Sequence, residues 1–188
     1  MHPIHLKRDR PSKFDHYLNR AKVAAERSTC LRRKIGAIIV RNDTEISSGY
    51  VGSPRKTVNC IDIGECLRIE LGIPSGQRYE LCRSVHAEQN AIINAARAGI
   101  SVMGGELYIS SERIFQGYNE GKNHVKRIYG PCIICKKLII NSGISVIHMR
   151  EEGVGCKSYD VDEIKQLLQD EEIVIRKEFI GSKGPIRK

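Results

Sequence analysis

Tryptophan is absent from the 188 residues, and seven tyrosines and three phenylalanines bring the aromatic content to only 5%. So few rings leave little from which to build the successive stacking platforms that grip single-stranded nucleic acid, and a polymer partner is not expected. No uninterrupted apolar run approaches the ~20 residues needed to span a bilayer, so no membrane segment is expected either. The stretch from Met1 to Lys13 is basic and lacks an apolar core, which argues against a signal peptide and makes the cytoplasm the expected location. Internal repeats and low-complexity segments are also missing.

What is present describes an ordinary soluble globular chain of one domain, 1–188, with 28% charged and 40% hydrophobic residues. Its length suffices to bury a substantial core. The formal net charge is +9, which suits an anionic partner, whether a nucleotide phosphate or a nucleic acid, and does not by itself choose between them. Much of the excess sits in two tails, about 1–11 and 181–188, expected to be flexible, solvated charge. Seven cysteines in a reducing compartment point to metal or structural roles rather than disulfides.

Along the chain, Phe14, Leu18, Ala21 and Ala25 recur at helical spacing behind Ser12, a candidate N-cap. Ile35 to Val40 reads as a buried strand, Asn42-Asp43 as a turn and Glu45 to Tyr50 as the returning strand of a hairpin. The stretch from Val51 to Arg83 is rich in Gly and Pro and has no sustained period, so it reads as a long loop that something must hold. Val85 to Arg97 reads as a helix capped by Ser84, with Gly99 as its stop. Further on come a strand from Glu106 to Ser110, a helix from Cys132 to Asn141, a strand from Ile144 to Met149 and a helix from Asp160 to Gln169. Ile173 to Phe179 reads as a last strand. Strands alternating with helices predict an α/β fold: a three-layer α/β/α sandwich around a central mixed five-stranded sheet.

The chemistry concentrates in Ser84-Val85-His86-Ala87-Glu88-Gln89-Asn90 and in Pro131-Cys132-Ile133-Ile134-Cys135. One histidine and two cysteines are three soft donors, a set that suits tetrahedral zinc with its fourth position kept for water. The Cys-x-x-Cys spacing puts two thiolates on one face of a helix's first turn, where the helix N-terminus favours the charged sulfurs. Glu88, two residues from His86, is a poor fourth ligand but can exchange protons with water at that open position. The plainer alternatives are a purely structural zinc site, or core residues with no metal.

The H-x-E followed by P-C-x-x-C is the zinc nucleobase deaminase signature. The chain resembles the deoxycytidylate (dCMP) deaminases of the cytidine deaminase superfamily from about Ala21 to about Leu168. Arg32-Arg33-Lys34-Ile35-Gly36-Ala37-Ile38-Ile39-Val40 looks like the family's first strand, and Gly49-Tyr50-Val51-Gly52-Ser53-Pro54 like its GYNG-x-P turn. Cys66-Leu67 and the run from Cys82 to Glu88 look like the approach to its zinc helix, and Tyr159-Asp160-Val161-Asp162-Glu163 like its closing helix.

That resemblance implies a hydrolase acting on a cyclic amidine C–N bond, converting dCMP to dUMP and feeding dTMP supply. His86, Cys132 and Cys135 would hold the catalytic zinc, with Glu88 as the catalytic acid and base. It further implies nucleotide regulation by dCTP and dTTP, and a homo-oligomer.

Cys30, Cys60, Cys66 and Cys82 are similar to a second, structural zinc set found in some members. Ordinary buried thiols are the alternative. Tyr50 and Val51 would lie beside the nucleotide, in either the active or the regulatory site, although the family's usual Asn is Val51 here; a plain hairpin end is the alternative. Tyr159 resembles the aromatic that packs on the pyrimidine; an ordinary core tyrosine is the alternative. Relatives pass almost directly from the third strand to the Pro-Cys turn, whereas here about 111–130 intervene as an inserted surface loop or a lid. Two other functions compete: deamination of tRNA adenosine or single-stranded nucleic acid, and a non-catalytic zinc-stabilised binding protein.

Overall fold

The computed structural model describes residues 9–73, 77–114 and 130–180. The expected basic tails, residues 9–11 apart, and most of the 111–130 insertion lie outside the described residues. Helix α1 (Lys13–Ala25) starts as expected, with Ser12 Oγ accepting from the Asp15 amide at 3.0 Å. It leads into β1 (Arg33–Arg41) and β2 (Thr44–Tyr50), joined through Asn42 and Asp43 at φ 51° and 59°. Positive φ at both central residues is the type I′ geometry that matches the twist of a hairpin.

The remaining regular elements are α2 (Cys60–Ile63), α3 (Leu67–Glu70), a 3₁₀ turn (Tyr79–Leu81), α4 (Ala87–Arg97), β3 (Glu106–Arg113) and α5 (Ile133–Ser142), followed by β4 (Val146–Glu151), β5 (Gly155–Asp160) and α6 (Val161–Ile180). The sheet runs β2-β1-β3-β4-β5, antiparallel except for the β3–β4 pair. The mixed five-stranded sheet is as expected, but its fifth strand is not.

Residues 173–179, expected as a strand, continue α6, and the edge strand is Gly155–Asp160. No glycine or proline interrupts the chain between Asp160 and Gly181. The β-branched run Ile173-Val174-Ile175 lowers helix propensity only by tenths of a kcal/mol per residue (~0.4). Strand β5 escaped notice because four of its residues, Gly155 to Ser158, are small or polar and exposed.

Strand parity sorts the core into two sides. Ala37, Ile39, Leu107, Ile109, Ile147 and Tyr159 face α4, α5 and α6, while Ile38, Val40 and Tyr108 face α1. A strand buried on both faces must be apolar at every position, which is why β1 reads as a continuous hydrophobic run.

Two glycines permit close approach. A Cβ on Gly36 would lie 2.1 Å from the Ala21 carbonyl oxygen of α1, and one on Gly49 would lie 2.3 Å from the Ala91 nitrogen of α4. Gly49 thus lets the hairpin seat the helix that carries Glu88. Replacing Gly49 with alanine is expected to cost about 3 kcal/mol by overpacking against backbone. In a chain of this size that lowers Tm by about 6–12 °C in a calorimetric melt, and an unshifted Tm would remove the seat from the account.

Candidate active site

Two chain segments form an isolated antiparallel bridge just before the site, with Val85 N donating to Gly52 O at 2.8 Å and Gly52 N to Val85 O at 3.2 Å. That bridge holds His86 in extended backbone, φ −73° and ψ 155°, as the N-cap of α4. The helix therefore begins two residues later than expected, and Ser84 does not cap it: Ser84 is buried, 3.8 Å from the Cys60 sulfur. The His86 amide is instead taken up by Gln89 Oε1 at 3.0 Å. Cys132 is likewise the N-cap of α5, with Cys135 in its first turn.

His86 Nδ1 lies 3.2 Å from Cys132 Sγ and 3.3 Å from Cys135 Sγ. Among the described residues this trio is the one group of three or more His, Cys, Asp or Glu donors to converge, all within 4.8 Å of one another. Zinc–sulfur bonds of about 2.3 Å and zinc–nitrogen bonds of about 2.0 Å at tetrahedral angles put the S···N edge near ~3.5 Å, so the triangle fits that ion. The positive ends of two helices meet there, which favours thiolate over thiol.

The Cys132 thiolate is favoured because the Cys135 S–H donates to it. Cys135 is pushed up by sharing that proton and by burial. A divalent cation displaces such a proton on binding. Burial is the largest single influence on His86 and opposes its charge, but the hydrogen bond to Cys132 and the negative charges of Cys132 and Glu88 together outweigh it and raise the pKa.

Glu88 is 6% exposed, on the second residue of α4, and burial pushes its carboxyl up. Its side chain bonds Cys135 yet stands outside the ligand triangle. A buried acid next to three metal donors can hold and release a proton without occupying a coordination position.

The second cysteine set does not form a comparable group. Cys30 lies within electrostatic reach of Cys82 and Cys60, and burial raises its thiol; Cys66 caps α3. The long loop from 51 to 83 is tied to Thr29, just past α1, by two of its backbone amides, Ile61 N donating to Thr29 O and Ser53 N to Thr29 Oγ1, both at 3.3 Å.

Of the residues expected near the nucleotide, Tyr50 is 36% exposed and Val51 is buried, its amide bonded to Ile35 O. Asn90 Nδ2 donates to Tyr50 O at 2.7 Å, so the turn is tied to α4. Tyr159 is a core residue on β5, 2% exposed, with the Lys157 ammonium 4.7 Å from its ring centroid. Its ring has little surface to offer a base.

Sequence reasoning missed four residues around the triangle. Tyr79 meets the His86 ring edge-on, Arg68 sits over Tyr79, and buried Lys136 on α5 pairs with Glu171 on α6 at 2.5 Å. Burial and the neighbouring Cys132 both raise the Tyr79 phenol. Arg68 lies in the four-residue α3 and Tyr79 in the 3₁₀ turn, elements too short to show a period. Lys136 directly follows Cys135, but a lysine there reads as surface.

The family model for the cytidine and deoxycytidylate deaminase zinc-binding region matches residues 11–150. Deoxycytidylate deaminase of Saccharomyces cerevisiae is 31% identical over 168 residues, covering 89% of this chain and 45% of that protein. Its counterpart in Mycobacterium phage D29 is 30% identical over 147 residues, covering 76% of this chain and 98% of that protein. The chain thus spans less than half the length of the yeast relative. A crystal structure of dCMP deaminase from the cyanophage S-TIM5 in apo form superposes with a TM-score of 0.54 at 25% identity, covering 85% of this chain and 94% of that one. With the matched region running from the first helix through the fourth strand and taking in both halves of the metal triangle, the chain belongs to the cytidine and deoxycytidylate deaminase zinc-binding family.

Proposed function

We propose that this protein is a zinc-dependent hydrolase that deaminates dCMP to dUMP and so feeds dTMP supply. The observation that carries the reading is the His86–Cys132–Cys135 triangle with buried Glu88 beside but outside it. Zinc bound there supplies Lewis-acid activation of water near neutral pH. Glu88 takes the proton from the attacking water and delivers it to the ring nitrogen next to C4. It then takes the proton of the new C4 hydroxyl and passes it to the departing amino group, so that a C4–O bond forms, the C4–N bond breaks and ammonia leaves. The dCMP preference is supported by relatives in yeast and phage named deoxycytidylate deaminase.

The proposal extends to a second, structural zinc, supported by the nearness of Cys30, Cys60 and Cys82. It also takes in homo-oligomeric assembly, supported by the exposed Ile61, Leu67, Leu71 and Ile93, and regulation by dCTP and dTTP. The proposal also places the chain in the cytoplasm as a single domain over 1–188; no helix among the described residues is long and apolar enough to cross a membrane.

Incubation with dCMP, cytidine, dCTP and an RNA oligonucleotide, read as ammonia release, separates the alternatives. Turnover of dCMP well above the rest is expected. Ammonia from RNA alone would favour the nucleic-acid deaminase, for which the +9 charge speaks. A zinc-loaded protein inert toward all four would leave a binding protein.

A further inference from the structure

His86 reaches the ligand triangle by its Nδ1, and its ring turns about a Cβ–Cγ bond whose torsional preference is broad and roughly two-fold. Half a turn puts a carbon where the ligating nitrogen belongs. Among the described residues, one aromatic ring meets that imidazole: Tyr79, with centroids 5.3 Å apart and planes at 74°. Tyr79 comes from the 3₁₀ turn, seven residues before His86, and is itself clamped. The Arg68 guanidinium lies 5.3 Å from the Tyr79 centroid, within the ~6 Å reach of a cation–π contact. Arg68 is 6% exposed, and its Nη2 donates to the Gln77 carbonyl at 2.7 Å. The long loop, whose job was unassigned by the sequence, thus ends in a two-layer wall behind the ligand.

We propose that Tyr79, held by Arg68, is a positioning residue of the metal site: its ring restrains the rotation of His86 so that Nδ1 faces the two sulfurs. This rests on the reading of His86, Cys132 and Cys135 as zinc ligands. Tyr79 touches neither metal nor substrate in this role. It acts by keeping the histidine pre-aimed, as outer-layer partners of metal ligands do, and their loss typically costs 10- to 100-fold in metal affinity (about that range). The ring does the work, so the hydroxyl is dispensable.

The test measures zinc affinity by chelator competition, the visible absorption of the cobalt-substituted protein, and thermal melting of the metal-free protein. Tyr79→Phe is expected to match wild type within about two-fold, and Tyr79→Leu to bind zinc about 10- to 100-fold more weakly with altered cobalt bands. Metal-free melting should move little in both. Arg68→Met, which keeps the stem and removes the charge, should fall between them. Wild-type affinity and cobalt bands in Tyr79→Leu would overturn the proposal, as would a Tyr79→Phe variant as impaired as Tyr79→Leu. Should Tyr79→Leu melt too low to load, Arg68→Met decides, and an unchanged cobalt spectrum there overturns it. Wild-type protein that takes up no zinc would sink the ligand assignment itself, a result distinct from an indifferent Tyr79.

Discussion

Glu88→Gln should retain wild-type zinc content and lose about 10⁴-fold in kcat on dCMP, the upper end of what one acid–base group contributes. The upper end is warranted because one carboxylate serves both proton deliveries, and the described residues offer no second acid in the converging group. Glutamine keeps the volume and the hydrogen bonding of a side chain that is 6% exposed, so the packing of α4 stays intact. The carboxyl lies outside the ligand triangle, which is why metal content should survive. Ammonia release together with zinc by atomic absorption reads both quantities. Turnover above a tenth of wild type would leave Glu88 without its role.

Cys135→Ser should remove the metal as well as the turnover. The Cys135 sulfur is fully buried in the first turn of α5, 3.3 Å from His86 Nδ1, and a serine hydroxyl cannot deprotonate to replace it. Zinc content should fall by about one per chain. If wild type holds about two, one remains at the second cysteine set; if it holds about one, none remains. A variant that kept both zinc and activity would show that the triangle is not the metal centre. The contrast with Glu88→Gln separates gripping the ion from moving the proton.

The site was readable before the fold because its donors come in two short motifs whose spacing reports helix geometry directly. Both motifs proved to straddle helix starts, with His86 and Cys132 in cap positions; for His86 that detail rests on the Gly52–Val85 bridge rather than on local sequence. Strand β1 was legible because burial on both faces leaves an unbroken apolar run. The edge strand β5 was not, since its solvent-facing residues carry no such run, and the β-branched stretch within α6 drew the strand assignment instead. Arg68 and Tyr79 were invisible for a third reason: their meaning lies in what a loop folds back to touch.

The Lys136–Glu171 pair has a consequence for how α6 docks. Its ammonium is 1% exposed, and Glu171 is 29% exposed. Sliding α6 by one turn along α5 would strand that cation in hydrocarbon, at a cost of about 3 kcal/mol, near the lower bound for a broken buried pair. Beside an apolar isostere the intact pair adds little stability, so its effect is to single out one alignment. It is a latch more than a glue, and it keys the terminal helix to the residue that follows the inner sulfur.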